Sequence, residues 1–313
     1  MLKIALPQIA PIWMHKEAGL GKVNDQIDQA AVEGANLIVF GEGCVPGYPF
    51  WLEGTGGAKF DDLMQKEIHA YYQQQAVCIE DGDLSSVCAT LKRHQMAAYI
   101  GIIERPTSRT GFSLYCSYVY INPNGEIGSV HRKLMPTHEE RLVWSIGDGH
   151  GLRTHKLGDF TLGGLNCWEN WMPLARTALY GQGENLHIAC WPGNVRNTID
   201  TTPFMAKEGR SYAVGISCIM RREDVPMDMP YSKEIKATMP NMPADGGSCI
   251  AAPDGSWVLE PLVGVEGLRY ACLDFNMVRM ERQNFDPMGH YSRPDVLPLN
   301  LDQTRQTGMN IKS

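Results

Sequence analysis

The sequence lacks the marks of several classes of protein. Its 9 cysteines are odd in number and none are paired in C-x-x-C spacing, which argues against a disulfide framework, a zinc site and a thioredoxin-like redox centre. No apolar run approaches the roughly 18 to 20 residues of a membrane-spanning helix. The net charge of −7 argues against nucleic acid or an anionic membrane as the main partner.

The first residues, "MLKIALPQIAP", hold one lysine, an early proline and too short an apolar run for a secretory signal. Most cysteines lie in apolar segments such as "GISCIM" and "RYACLDF", where a reduced thiol packs as a small hydrophobic side chain. We therefore predict a cytoplasmic protein with reduced cysteines. Hydrophobic residues make up 43% of the chain and charged residues 20%, which is typical of a globular protein with a sizeable core.

Hydrophobic periodicity in the first half predicts alternating strands and helices. Three apolar, strand-like runs ("KIALPQIA", "NLIVFGE" and "AAYIGIIER") are separated by helical periodicity at 19–34 and 83–95. Two more strands flank the turn residues 122–125, "NPNG".

The second half repeats this order. Strand-like runs ("FTLGGLNC", "LHIACWP" and "AVGISCIM") alternate with helical segments at 173–182 and 202–213, and a hairpin turns at 253–255. Two such halves predict a four-layer α-β-β-α sandwich of two mixed sheets with pseudo-twofold symmetry. We expect a single domain over residues 1–284.

Two segments do not fit the strand–helix pattern. Residues 285–313 contain Pro287, Pro294 and Pro298 and no helical period, which predicts an extended tail at a subunit contact. Residues 222–246 are rich in proline and methionine, and we interpret them as a long loop or a subunit contact.

Three predicted strand ends carry a reactive side chain: Glu42, Lys133 and Cys167. Ligands of α/β proteins bind at strand ends, so these three groups could meet in one pocket. Each has an ordinary alternative by itself, since Cys167 could be a buried structural thiol, Glu42 a capping carboxylate and Lys133 part of a solvated basic face. Their joint occurrence, together with the sequence around them, favours a catalytic role over these structural roles.

That surrounding sequence resembles the nitrilase family of carbon–nitrogen hydrolases, and its nitrile-hydrolysing branch most. The motifs that carry the resemblance run across the chain in the family's order: "FGE" at 40–42, "PGYPFW" at 46–51, "HRKLMPTHEERLVW" at 131–144, "NCWENWMPLAR" at 166–176 and "HYSRPDVL" at 290–297. The resemblance implies the α-β-β-α fold and hydrolysis of a nitrile to a carboxylic acid and ammonia through a cysteine thioimidate and thioester. It also implies homo-oligomers, as dimers or larger spirals.

Carried over by motif, Glu42 matches the family's general base, Lys133 its catalytic lysine, Cys167 its nucleophile and Glu140 a second active-site glutamate. The reaction requires no metal and no other cofactor. An amidase or cyanide hydratase with the same triad is an alternative function, and a non-catalytic scaffold is an alternative of another class.

The groups around the triad have predicted supporting roles. Lys133 and a helix N-terminus after Cys167 are expected to lower the pKa of the thiol. The backbone N–H of Trp168 is a candidate stabiliser of developing negative charge, and the side chains of Trp168 and Tyr48 are candidate pocket residues. Three further tryptophans, at 51, 171 and 191, are weaker pocket candidates. A dyad of Cys167 with a nearby histidine, at 131 or 138, is disfavoured because the resemblance leaves the base role to the glutamate.

Overall fold

The computed structural model describes residues 1–309, so residues 310–313 of the predicted tail lie outside the described part. The strands are β1 (Leu2–Gln8), β2 (Leu37–Val39), β3 (Ala97–Glu104), β4 (Tyr115–Ile121), β5 (Ile127–Arg132), β6 (His155–Leu157), β7 (Phe160–Asn166), β8 (Leu186–Trp191), β9 (Tyr212–Ser217), β10 (Ile219–Met220), β11 (Ala244–Ala251), β12 (Trp257–Val263) and β13 (Gly267–Leu273). The α-helices are α1 (Lys16–Val32), α2 (Trp51–Thr55), α3 (Leu63–Gln75), α4 (Ser85–His94), α5 (Pro173–Tyr180), α6 (Thr201–Gly209), α7 (Ser232–Thr238) and α8 (Phe275–Glu281).

Within residues 1–309 the strands form two mixed sheets. The first has the order β13-β1-β2-β3-β4-β5, and the second has the order β10-β11-β9-β8-β7-β6 with β12 paired to β11. In the first sheet β1, β2 and β3 are parallel, β4 is antiparallel to β3, and β5 is antiparallel to β4. In the second sheet β7, β8 and β9 are parallel and the β11–β12 hairpin continues antiparallel. The two halves therefore share one topology, as predicted.

The strands read as continuous apolar runs because both of their faces are covered. In β3, Tyr99 packs between the two sheets against residues such as Ile188, whereas Ile100 packs outward against helices α1 and α4. On the second sheet, Leu179 of α5 and Met205 of α6 cover the outer face. Successive side chains of a strand point to opposite faces, so a strand between two layers is apolar at every position. The predicted four-layer α-β-β-α sandwich is confirmed.

The prediction for residues 222–246 is wrong in part, because this segment contains helix α7 and the first residues of β11. Its apolar side chains are core residues, since Met229, Ile235 and Met239 are buried in a cluster with Trp51. The many prolines of this segment led to the prediction of a loop, although it contains a short helix with good helix formers and one buried face.

Residues 282–309, which follow α8, contain no helix or strand, and part of this segment docks on its own chain. The Arg305 guanidinium donates to Asp148 at 2.9 Å, and the backbone N–H of Gln306 donates to the other oxygen of Asp148 at 2.9 Å. Residues 289–301 lie mostly exposed. None of the helices between residues 1 and 309 combines the length and the apolar character needed to cross a membrane.

Candidate active site

Strand ends bring the predicted catalytic side chains to one place. Glu42 lies three residues beyond β2, Lys133 directly follows β5, and Cys167 directly follows β7. Carboxylate oxygens of Glu42 and Glu140 and the sulfur of Cys167 lie within 4.8 Å of one another. All four side chains are buried. An acid, an amine and a thiol that are far apart in the sequence therefore converge.

Lys133 forms two buried ion pairs. Its Nζ lies 2.7 Å from Oε1 of Glu42 and 2.7 Å from Oε2 of Glu140. Glu140 also accepts a hydrogen bond from the Tyr48 hydroxyl at 2.8 Å and one from the Thr137 backbone N–H at 2.6 Å. Buried charges are tolerated when they are paired and their remaining hydrogen bonds are satisfied, and Glu140 meets that condition.

The charge of this cluster keeps Lys133 protonated. Burial alone would lower the pKa of Lys133, but the neighbouring Cys167, Glu42 and Glu140 raise it well above its ordinary value. The spacing of Glu42, Glu140 and Cys167 would also suit a metal ion. The Lys133 ammonium already contacts both carboxylates, so it supplies the positive charge that a metal ion would bring.

The two oxygens of Glu42 have different surroundings. Oε1 accepts hydrogen bonds from Nζ of Lys133 at 2.7 Å and from the thiol of Cys116 at 3.3 Å. Oε2 is buried and has no hydrogen-bond partner among residues 1–309. Burial raises the pKa of Glu42 to about 7, although the charge of Lys133 opposes the shift. A carboxylate with this pKa can accept and return a proton near neutral pH.

Cys167 stands at a strained point of the backbone. Its φ is 50°, in the left-handed region that a residue with a Cβ rarely adopts. The amide of Asn170 stabilises this turn, since its Nδ2 donates to the carbonyl oxygen of Cys167 at 2.8 Å and to that of Leu165 at 3.2 Å. Residues Cys167–Trp171 form a short 3-10 turn, and the α-helix begins only at Pro173. A helix N-terminus therefore lies at Cys167, as expected, but it belongs to a 3-10 helix and not to the α-helix.

The expectation of a lowered thiol pKa is wrong for the resting protein, although Lys133 and the backbone N–H of Trp168 both act in the expected direction. Burial and the charge of Glu42 raise the pKa of Cys167 well above its ordinary value, and the opposing effect of Lys133 is smaller. Because a carboxylate is close and water is excluded, the thiol form is favoured. The sulfur must lose its proton during the reaction, to a base within the site.

Cys167 lines a cavity of about 720 Å³. Of the predicted pocket residues, Tyr48, Trp51 and Trp168 also line it, whereas Trp191 is fully buried in the core and Trp171 is absent from the lining. The rest of the wall combines apolar and polar side chains: Phe50, Glu53, Thr137, Glu139, Asn194, Arg196, Asn197, Ile235, Thr238 and Met239. A cavity of this size, lined by a thiol, suits a small organic substrate.

The two nearby histidines have other partners. Nε2 of His131 lies 3.0 Å from Oε2 of Glu169, and both side chains are buried. His138 is exposed and pairs with Glu139. The structure therefore gives no support to a dyad of Cys167 with either histidine.

Two further residues of the site, Cys116 and Glu169, were not found from the sequence. Cys116 lies within the apolar strand "SLYCSYVY", where nothing local separates it from the other buried cysteines. Glu169 did leave a signal. Asn166 and Glu169 have the spacing of a capping box, and the backbone N–H of Asn166 donates to the Glu169 carboxylate at 2.8 Å.

Comparisons with known proteins show the family and the fold. A sequence profile of the carbon-nitrogen hydrolase family matches residues 3–283. An aliphatic nitrilase from Rhodococcus rhodochrous is 32% identical over 320 residues, covering 98% of this chain and 80% of that protein. An aliphatic nitrilase from Sinorhizobium fredii (strain HH103) is 34% identical over 306 residues, covering 96% of each. A mutant of an amidase from Nesterenkonia sp. AN1 shares the fold, with a TM-score of 0.65 at 16% identity over 91% of this chain and 98% of that one. The chain belongs to the carbon–nitrogen hydrolase family.

Proposed function

We propose that this enzyme is a nitrilase that hydrolyses an organic nitrile to a carboxylic acid and ammonia. The observation that carries the proposal is the buried cluster in which Lys133 bridges Glu42 and Glu140 beside the Cys167 thiol. The aliphatic nitrilases, which match nearly the whole chain, support nitriles over amides as substrates. The amidase supports the shared fold alone.

The first stage forms a thioimidate. The Cys167 S–H bond breaks and its proton passes to Glu42, while the sulfur electron pair forms a bond to the nitrile carbon. One π bond of the nitrile breaks, and the nitrogen takes the proton that Glu42 received, which leaves Glu42 as a carboxylate for the next step. A thiol whose pKa is raised by burial needs a base at hand, and Glu42 has a pKa suited to that role.

The second stage releases ammonia and then the acid. Glu42 takes a proton from a water molecule, whose oxygen adds to the thioimidate carbon, and the C–N bond breaks as the protonated nitrogen leaves as ammonia. A second water adds to the resulting thioester, and the C–S bond breaks to give the acid and the free thiol. The Lys133 ammonium and the Trp168 backbone N–H are the proposed donors to the negative charge that develops in these steps.

A substrate panel tests the proposal. The protein is incubated separately with aliphatic nitriles, aryl and arylacetic nitriles, matched amides and cyanide, and ammonia, acid and amide are quantified. We expect acid and ammonia from nitriles, and Cys167→Ala should reduce the rate by at least about a thousandfold. Cys272→Ser, which changes an exposed cysteine, is the matched control. Turnover of amides alone would make the enzyme an amidase, and full activity of Cys167→Ala would contradict the mechanism.

We also propose that the protein self-associates through its C-terminal tail. Tyr291, Val296 and Leu297 are among the exposed apolar side chains of this segment, and burial against a second copy would remove them from water. Light scattering after size exclusion should give the mass of a dimer or a larger species. Replacement of Val296 and Leu297 by serine should lower this mass. A monomer at all concentrations would contradict the proposal.

The last proposal concerns location. The cysteines are free thiols and most of them are buried, which suits a reducing cytoplasm. Cell fractionation with a specific antibody tests this location.

A further inference from the structure

Cys116 is the second thiol of the site, and it contacts the proposed base directly. Its sulfur lies 3.3 Å from Oε1 of Glu42, and both side chains are buried. The same residue also holds Lys133, because its carbonyl oxygen accepts the Lys133 backbone N–H at 2.8 Å. One residue of β4 is therefore bonded both to the proposed base and to the lysine that pairs with it.

The thiol of Cys116 remains a donor. Burial and the negative charge of Glu42 raise its pKa well above the ordinary value, so the sulfur keeps its proton. A neutral S–H can donate to a carboxylate oxygen, whereas a thiolate at this position would repel it. Cys116, unlike Cys167, does not line the cavity, so it is out of a substrate's reach and is suited to hold Glu42.

It matters for the reaction which oxygen of Glu42 accepts this hydrogen bond. Lys133 and Cys116 both donate to Oε1, and Oε2 is left buried without a partner among the residues that the structure describes. A buried carboxylate oxygen without a donor is costly, and such groups are retained where they have a chemical task. An oxygen without a donor is free to receive a proton.

We propose that Cys116 is a positioning residue for the general base. With Lys133 it fixes Oε1 of Glu42, so that Oε2 stays free to take the proton of the Cys167 thiol and then that of the hydrolytic water. This inference rests on the proposed function, in which Glu42 is the base. It gives a task to a thiol that the mechanism does not otherwise use.

The test compares three substitutions of Cys116. Alanine removes the donor, valine fills the thiol volume without a donor, and serine keeps an O–H donor. Cys249→Ala is the matched control, since this buried thiol donates to Thr202 at 3.4 Å and does not contact Glu42. Each variant is measured for kcat, KM and the pH dependence of kcat/KM, on the substrate that the unmodified enzyme turns over best.

We expect Cys116→Ala and Cys116→Val to lower kcat about 10- to 100-fold with little change in KM. Loss of a hydrogen bond to the charged carboxylate favours its protonated form, so the acid limb of kcat/KM should move to higher pH. Cys116→Ser should retain most of the activity and the original limb, and Cys249→Ala should leave both unchanged. If Cys116→Ala folds poorly, as judged by its unfolding midpoint, Cys116→Val measures the same loss of the hydrogen-bond donor.

Two results would overturn the inference. One is an unchanged kcat and acid limb in the alanine or valine variant. The other is an equal loss in the alanine and serine variants without a shift of the limb, which would reduce Cys116 to a packing residue. Failure of the proposed function is separate, because it would be seen in the unmodified enzyme as a lack of nitrile turnover.

Discussion

Leu134 donates its backbone N–H to the buried carboxylate of Glu169, so the loop that begins at Lys133 is tied to the turn that begins at Cys167. The same carboxylate accepts the Asn166 N–H at 2.8 Å and lies 3.0 Å from Nε2 of His131. Three donors from two separate segments meet at one side chain. Glu169 thereby fixes the distance between the proposed lysine and the nucleophile without touching the substrate.

This arrangement predicts an acid-sensitive stability. Burial alone would raise the pKa of Glu169, but His131 and the backbone N–H groups of Leu134 and Asn166 lower it below its ordinary value of 4.5. A lowered pKa in the folded state stabilises the protein above pH 4.5, and the contribution is lost as the pH falls through the folded pKa.

We therefore expect Glu169→Gln to be less stable than the unmodified protein at pH 7, and the difference in unfolding free energy to shrink below pH 4.5. Urea unfolding at several pH values measures it. Glu234→Gln, at an exposed position, is the control and should show no such trend. A difference that is constant with pH would contradict the prediction.

The pKa of Glu42 predicts the acid limb of activity. Burial raises this pKa to about 7, so below that pH the carboxyl is mostly protonated and cannot accept the thiol proton. We expect kcat/KM to rise with pH through about 7 and to fall about tenfold per unit below it. Steady-state ammonia release over a pH series gives the profile. Glu42→Gln should abolish activity across the series, and a profile flat to pH 5 would disagree with this role.

Lys133 is predicted to support both stability and activity. Lys133→Met removes the cation that contacts Glu42 and Glu140 at 2.7 Å and leaves two buried carboxylates together. Loss of one partner of a buried ion pair costs about 3–5 kcal/mol.

In urea unfolding we expect Lys133→Met to be less stable than the unmodified protein by that free energy. We also expect the variant to release no ammonia. Lys233→Met, at an exposed lysine, is the control for removal of a positive charge. An unchanged unfolding midpoint in Lys133→Met would refute the prediction.

Tyr48 is predicted to act through Glu140. Tyr48→Phe removes the hydroxyl that donates to Oε1 of Glu140 at 2.8 Å and keeps the ring in the cavity wall. A hydrogen bond to a charged group implies a loss of kcat of about tenfold or more. Tyr231→Phe is a matched control, because its hydroxyl also donates to a glutamate, Glu67, but at the surface. Equal kinetics of the two variants would argue against a role for Tyr48.

The sequence alone determined the architecture and named the side chains that the structure brings together. Continuous apolar strands, helical periods and the two hairpins predicted the sandwich, because these signals are local and survive without tertiary contacts. Motifs around Glu42, Lys133 and Cys167 marked the ends of β2, β5 and β7, and the packing of the two sheets brings these ends together. Helix α7 was missed because its proline-rich surroundings outweighed a short helical period.

The tertiary structure decided the properties that depend on distant neighbours. Cys116 and Glu42 are 74 residues apart, so no local pattern reveals their hydrogen bond. The raised pKa of Cys167 depends on burial and on the balance between Glu42 and Lys133, which motifs do not measure. A residue's position in the sequence, at or just beyond a strand end, determines whether its side chain reaches the site. Packing sets the dielectric environment and the partners, and these determine which proton each side chain holds.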